Sequence, residues 1–129
     1  MTGVQTCALP ILKNPTAENI SLAARNLKGG ALIGLPTETV YGLAADADSQ
    51  AAVARIYHVK GRPLDHPVIV HIADVTKVSE WAREFPEYAQ ALAAAFWPGP
   101  MTLVLPRTRR AQDFVTGSQD TVEIGRAHV

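Results

Sequence analysis

The chain has 129 residues, 47% of them hydrophobic and 19% charged, with twelve basic residues balanced by twelve acidic ones. This is the profile of one ordinary globular domain; no apolar run nears the roughly 20 residues that span a bilayer, and no basic-then-apolar leader is visible. Charge balance argues against long RNA or DNA as the main ligand, because gripping about 6–10 phosphates calls for a basic excess.

The elements follow in chain order. Thr16 can cap a helix in which Ile20, Ala23/Ala24 and Leu27 recur at helical spacing, and Gly29-Gly30 closes it. Ala31 to Leu35 reads as a buried strand that Pro36 stops. Asp48 or Ser49 can cap a second helix with Val53, Ile56 and Tyr57 on one face and Gly61 past its end. Val68 to Ala73, "VIVHIA", is β-branched and apolar, which predicts a buried strand. Asp74 is placed to cap a third helix with Val75, Val78, Trp81/Ala82 and Phe85 as its stripe. Pro86 suits the first turn of a fourth, carrying Tyr88, Leu92 and Ala95/Phe96. "WPGP" ends it, and Met101 to Pro106 is a further strand. Arg107 to Gln119 reads as a polar, basic loop, and Thr121-Val122 opens another strand. Strands alternating with helices predict an α/β fold, a twisted mixed sheet with helices packed on it. Ligands on such sheets sit beyond strand ends.

Unusual residues fall there. In "PTETVY" an extended backbone would put Thr37, Thr39 and Tyr41 on one face and Glu38 and Val40 on the other. Three converging hydroxyls suit a small polar ligand such as an amino acid or nucleotide; the plainer reading is that threonine and tyrosine favour strands. A buried hydroxyl without a partner costs about 1–3 kcal/mol, so a cluster needs partners. In "HVKGRPLDHPVIVH" Lys60 and Arg62 flank a glycine just past a helix, a reasonable phosphate or carboxylate clamp. On spacing alone, a lysine complementing the helix dipole beside a solvated arginine serves as well. His71 lies in an apolar run and is more often a core residue than a ligand there. His58, His66 and His71 lack zinc spacing, so no structural metal is expected. In "FWPGPMT" two prolines fix a turn, and only Thr102 invites a functional reading.

Together "GLPTETVYGLAADA", "IYHVKGRPLDHPVIVHI" and "FWPGPMTLVLP" resemble, in this order and spacing, the YrdC/Sua5 family of threonylcarbamoyl-AMP synthases, over Gly29 to Val122. The resemblance implies a nucleotidyltransferase that makes L-threonylcarbamoyladenylate and pyrophosphate from L-threonine, bicarbonate and ATP with Mg²⁺. It implies as partners a tRNA threonylcarbamoyl-transferase machinery and tRNA, whose adenosine becomes N6-threonylcarbamoyladenosine, and a cytoplasmic location. That location agrees with the single cysteine, Cys7, which cannot form an internal disulfide. By motif, Thr39 and His71 are expected to contact threonine, with Thr37 and Tyr41 on the same wall. Lys60 and Arg62 match the basic pair that meets ATP phosphates; they are the expected catalytic residues. His66 stands at a nucleotide-facing position where many members carry asparagine, and Thr102 and Thr121 complete the ATP side.

One departure matters. Beyond Val122 the family continues to an arginine for the threonine carboxylate and then to a Ser-x-Asn motif; here Glu123-Ile124-Gly125 stands instead, and Arg126 is out of register. "GVQTCALPI" and "EIGRAHV" resemble translated sequencing adapters. Residues 1–11 are therefore expected to be a non-native arm, 12–122 a YrdC-like domain incomplete at its C-terminal side, and 123–129 a non-native tail carrying His128. The alternative is a natural flexible arm at each end. Two rival functions stand beside the synthase: a double-stranded-RNA-binding module without synthase activity, and the carbamoyl-transfer domain of hydrogenase maturation. A steep salt dependence of RNA binding without affinity for ATP or threonine would mark the first; acylphosphatase and zinc-finger regions, which are not seen here, normally accompany the second.

Overall fold

The computed structural model describes residues 14–127. Cys7, His128 and the arm at residues 1–11 lie outside them. Helix α1 spans Ala17–Lys28, and the Thr16 hydroxyl accepts the Asn19 N–H at 3.2 Å. Glu18 in its first turn and Arg25 and Lys28 in its last complement the helix dipole. No residue of α1 is fully buried. Gly30, at φ +89°, turns the chain into β1, Ile33–Pro36. This strand pairs with β2, Tyr41–Ala44, as an antiparallel hairpin in which Ile33 opposes Ala44 and Pro36 opposes Tyr41.

The hairpin corrects the expected alternation. Residues 37–40 are its loop, not a continuing strand. The Thr37 N–H donates to the Val40 carbonyl at 3.2 Å, and the Thr37 hydroxyl accepts the N–H groups of Thr39 and Val40 while donating back to the Val40 carbonyl. The Thr37 and Thr39 hydroxyls still lie 3.3 Å apart. Tyr41, in contrast, is 84% exposed at the start of the return strand. The expected cost of a buried hydroxyl does not arise, because the turn satisfies Thr37 and Thr39 is exposed.

Helix α2, Gln50–Lys60, starts at Ser49, whose hydroxyl accepts the Ala52 N–H at 3.2 Å, and ends at Gly61 in the left-handed region, φ 61°. Its buried side is Ala52, Val53, Ile56 and Tyr57, the expected face. Strand β3, Ile69–His71, lies parallel to β5, Thr121–Arg126, and β5 lies antiparallel to β4, Gly99–Pro106. The order β3-β5-β4 makes a mixed sheet. The strand opened by Thr121-Val122 runs on through Arg126, so residues 123–126 form the larger part of the middle strand.

Alternation splits this sheet into two faces. Val70, Val122, Ile124, Leu103 and Leu105 face the core, against Val78, Trp81, Ala89, Ala93, Trp97 and Val115. His71, Gly125 and Thr102 form one row of the other face, and Ile69, Glu123 and Val104 the next.

Two helices depart from the expected pattern. The third is a 3₁₀ turn, Val75–Lys77, followed by the short helix α3, Val78–Trp81. It stops where Ala82 becomes extended and bridges Arg107. In α4, Glu87–Phe96, Ala89 and Ala93 are buried, whereas Tyr88, Leu92 and Phe96 of the expected stripe are exposed. The small side chains let the helix axis approach the sheet, which turns the large ones outward. The expected loop from Arg107 contains a helical turn, α5, Asp113–Thr116, and buries Ala111, Val115 and Thr116.

Candidate functional site

A cleft of about 840 Å³ is bounded by α1, the hairpin, α2 and the open face of β3 and β5. Apolar side chains, among them Leu27, Leu35, Leu43 and Ile56, form much of its wall. Lys60, Arg62 and His71 share it, and so do three cations that sequence spacing did not single out: Lys28, Lys77 and Arg110.

The turn after α2 is fixed by its own side chains. Arg62 donates to the Pro67 carbonyl at 2.8 Å, and the Tyr57 hydroxyl donates to the His66 carbonyl. Gly117, in the left-handed region at φ 62°, backs this turn so closely that an added Cβ would lie 2.4 Å from the Asp65 carbonyl oxygen. The Val68 N–H also donates to the Val115 carbonyl at 3.0 Å. Arg62 is thus half-buried and partly occupied as a brace. Lys60 is exposed, and among the described residues it has no hydrogen-bond or ion-pair partner. An unpartnered ammonium at the edge of an apolar cleft is available to an incoming anion. Desolvation raises the Tyr57 phenol above its ordinary value, and the Arg62 charge partly opposes the shift.

His71 belongs to the open sheet face, not to the core. Desolvation by the surrounding wall lowers its imidazole below the ordinary value, and the Glu38 carboxylate partly opposes this. Glu38 comes from the hairpin loop, so that loop reaches electrostatically to the cleft. Beside His71, Gly125 leaves room for little: a Cβ there would lie 3.3 Å from Ile69 Cγ2 and 3.4 Å from His71 Cε1. At the far end, Arg110 donates to Asp48 through two nitrogens, at 2.9 and 2.7 Å, and to Glu80. The bond to Arg110 holds the Asp48 carboxyl below its usual range.

The other expected site residues are outside the cleft lining. Thr37 and Thr39 are on the hairpin loop, and Tyr41 follows them. The His66 side chain is exposed in the turn after α2. Thr102 and Thr121 are on the sheet face that carries His71, with Thr102 separated from it by Gly125. Among the described residues no group of three or more His, Cys, Asp or Glu could hold a metal ion, and no helix is long and apolar enough to cross a membrane.

An α/β domain with cations at a helix end and a histidine on an open sheet face defines a cleft suited to a small anionic ligand. The comparisons narrow the class. The Sua5/YciO/YrdC family model, described as telomere recombination, matches residues 25–125, and the chain belongs to that family. It is 49% identical over 105 residues to the threonylcarbamoyl-AMP synthase of Pyrococcus abyssi, covering 81% of this chain and 31% of the relative. It is 44% identical over 106 residues to the synthase of Bacillus subtilis, covering 81% and 31%. The crystal structure of P. abyssi Sua5 complexed with L-threonine matches 91% of this chain and 34% of its own, with a TM-score of 0.87 and 44% identity. The chain therefore spans about a third of the length of these relatives.

Proposed function

We propose that the whole protein is an L-threonylcarbamoyladenylate synthase and that this chain carries one wall of its substrate cleft. The observation that carries the reading is the meeting of Lys60, Arg62 and His71 around one hollow, in a chain so similar to named synthases. The threonine amine, as the free base, bonds to the carbon of bicarbonate and water leaves, which gives a carbamate. A carbamate oxygen attacks the α-phosphorus of ATP, the bond to the bridging oxygen breaks, and pyrophosphate leaves. Lys60 and Arg62 supply fixed positive charge to the phosphates as negative charge shifts to the leaving group. Holding both substrates in one cleft lowers the barrier by orientation, and no acid–base pair from the protein is required. Mg²⁺ belongs to this reading as the ion bound to ATP phosphates.

Thr37, Thr39, Tyr41 and His71 are assigned to threonine, and His66, Thr102 and Thr121 to the nucleotide. In support, Glu38 acts on His71 from the hairpin loop, and Thr102 shares the His71 row. The tRNA modification and the transferase partner follow from the same reading. Glu123-Ile124-Gly125 stands where the family pattern leads to an arginine, and Arg126 is out of register, so this chain should bind ATP and turn it over slowly if at all.

Calorimetry with ATP on this chain and on Lys60→Ala tests the assignment. Binding by the first, weakened at least about tenfold in the second, is expected for loss of a charge-assisted phosphate contact. Equal affinities, or no ATP affinity at all, would sink it. Labelled threonine should give little or no AMP adduct with this chain.

A further inference from the structure

Arg110 makes contacts that neither the fold nor the proposed chemistry needs. It leaves the segment between β4 and α5, which is itself firmly held. Arg107 donates to the Ala111 carbonyl at 3.0 Å and the Thr116 hydroxyl at 2.9 Å, and pairs with Asp113 at 2.8 Å. Thr108 donates its N–H to the Trp81 carbonyl at 2.9 Å and its hydroxyl to the Glu80 carbonyl at 2.8 Å. From this base Arg110 stacks on the Trp81 ring, 4.4 Å from its centroid, and grips Asp48 through the two-pronged bond already described. Asp48 immediately precedes Ser49, the cap of α2. Lys60 and Arg62 stand at the other end of that helix.

Isolated surface ion pairs contribute little, about 0–1 kcal/mol. This pair differs in being bidentate, stacked on an aromatic face and joined to Glu80, which Lys77 also meets at 3.1 Å. A helix is stiff along its axis, so a tether beside its cap limits how far the opposite end can shift.

We propose that Arg110 is a positioning residue for the cleft: by holding Asp48 it sets where α2, and with it Lys60 and Arg62, stands opposite His71. This rests on the phosphate-binding reading for one of its two readouts and on geometry alone for the other. The test uses the full chain, its Arg110→Gln, Asp48→Asn and doubly substituted variants, and inorganic tripolyphosphate as the probe.

Each single variant should weaken tripolyphosphate binding about tenfold, and the double variant should be no worse than either, since both remove one tether. Amide exchange at residues 52–56 should speed up while that of β5 stays unchanged. The Asp48→Asn variant separates positioning from direct contact. Were Arg110 itself a phosphate ligand, freeing it from Asp48 would tighten binding, and that result overturns the proposal. Unchanged affinity in Arg110→Gln overturns it too, as does exchange that rises equally in β5, which would make Arg110 only a general stabiliser. If the unsubstituted chain binds no tripolyphosphate, the functional reading falls; faster exchange confined to residues 52–56 would still support the tether, and unchanged exchange there would remove it.

Discussion

The sheet β3-β5-β4 and the layer made by α1 and the hairpin β1–β2 solve different problems. The sheet packs one face completely: Leu105, Val122, Ile124, Val78 and Val115 are all at 2% exposure or less. In the other layer no residue is fully buried, and three of its leucines, Leu27, Leu35 and Leu43, are half-buried and turn toward the cleft. Stability is concentrated on one side and open, cleft-facing surface on the other. A wall that is to meet a small molecule keeps apolar area partly open, and it gives up packing to do so.

The largest expected effect breaks this contrast directly. Leu105→Ala empties a fully enclosed site and should cost about 2–5 kcal/mol; Leu35→Ala, in the open layer, should cost clearly less. Urea denaturation of both variants measures the gap, and equal losses would mean that the two regions are packed alike. Next comes Gly117→Ala, which combines a left-handed backbone with the contact on the Asp65 carbonyl. Strain of this kind costs on the order of 1–3 kcal/mol. It should also loosen the turn that bears Arg62, visible as faster amide exchange at residues 62–68.

Thr16→Ala removes the cap of α1 and should cost about 1 kcal/mol, read as lost helicity and a lower denaturation midpoint. If the open layer unfolds separately from the sheet, this loss will appear in helicity but not in the main transition. The smallest effect is a pH dependence. The folded state lowers the His71 pKa, so on acidification the unfolded chain takes up its proton first. The His71 contribution is therefore intact above the ordinary value of about 6.5 and is lost as pH falls below it toward the folded value. Denaturation midpoints at pH 7.5 and 5.5 should converge more for His71→Gln than for the unsubstituted chain.

Elements with local signals were legible in the sequence. Thr16 and Ser49 do cap helices, and Gly61 does end one. The α2 face Val53, Ile56 and Tyr57 is buried as its spacing indicates. Strand β2 was not legible, because Tyr41-Gly42-Leu43-Ala44 has no β-branched residue and a glycine inside. The inner face of α4 was misjudged because its contact is made by alanines, whose weak signal lost to Tyr88, Leu92 and Phe96. Lys60 and Arg62 draw notice because they flank Gly61 past a recognisable helix, but spacing leaves their role open, and His71, inside an apolar run, is singled out only by the family resemblance. Arg110 could not: its bond to Asp48 spans 62 positions, and nothing local marks it. Lys28 carries only the ordinary sign of a helix end, and its place in the cleft depends on how α1 lies over the sheet.

The position of β5 in the sheet bears on the order of assembly. It is the middle strand, yet it follows both of its neighbours along the chain. During synthesis β3 and β4 emerge with no ladder between them and must wait, their backbone donors and acceptors met only by water. β5 then zips both of these edges at once. Closure of this core is a late, non-local event, and until it occurs the nascent chain exposes two unpaired strands to chaperones and to other copies of itself.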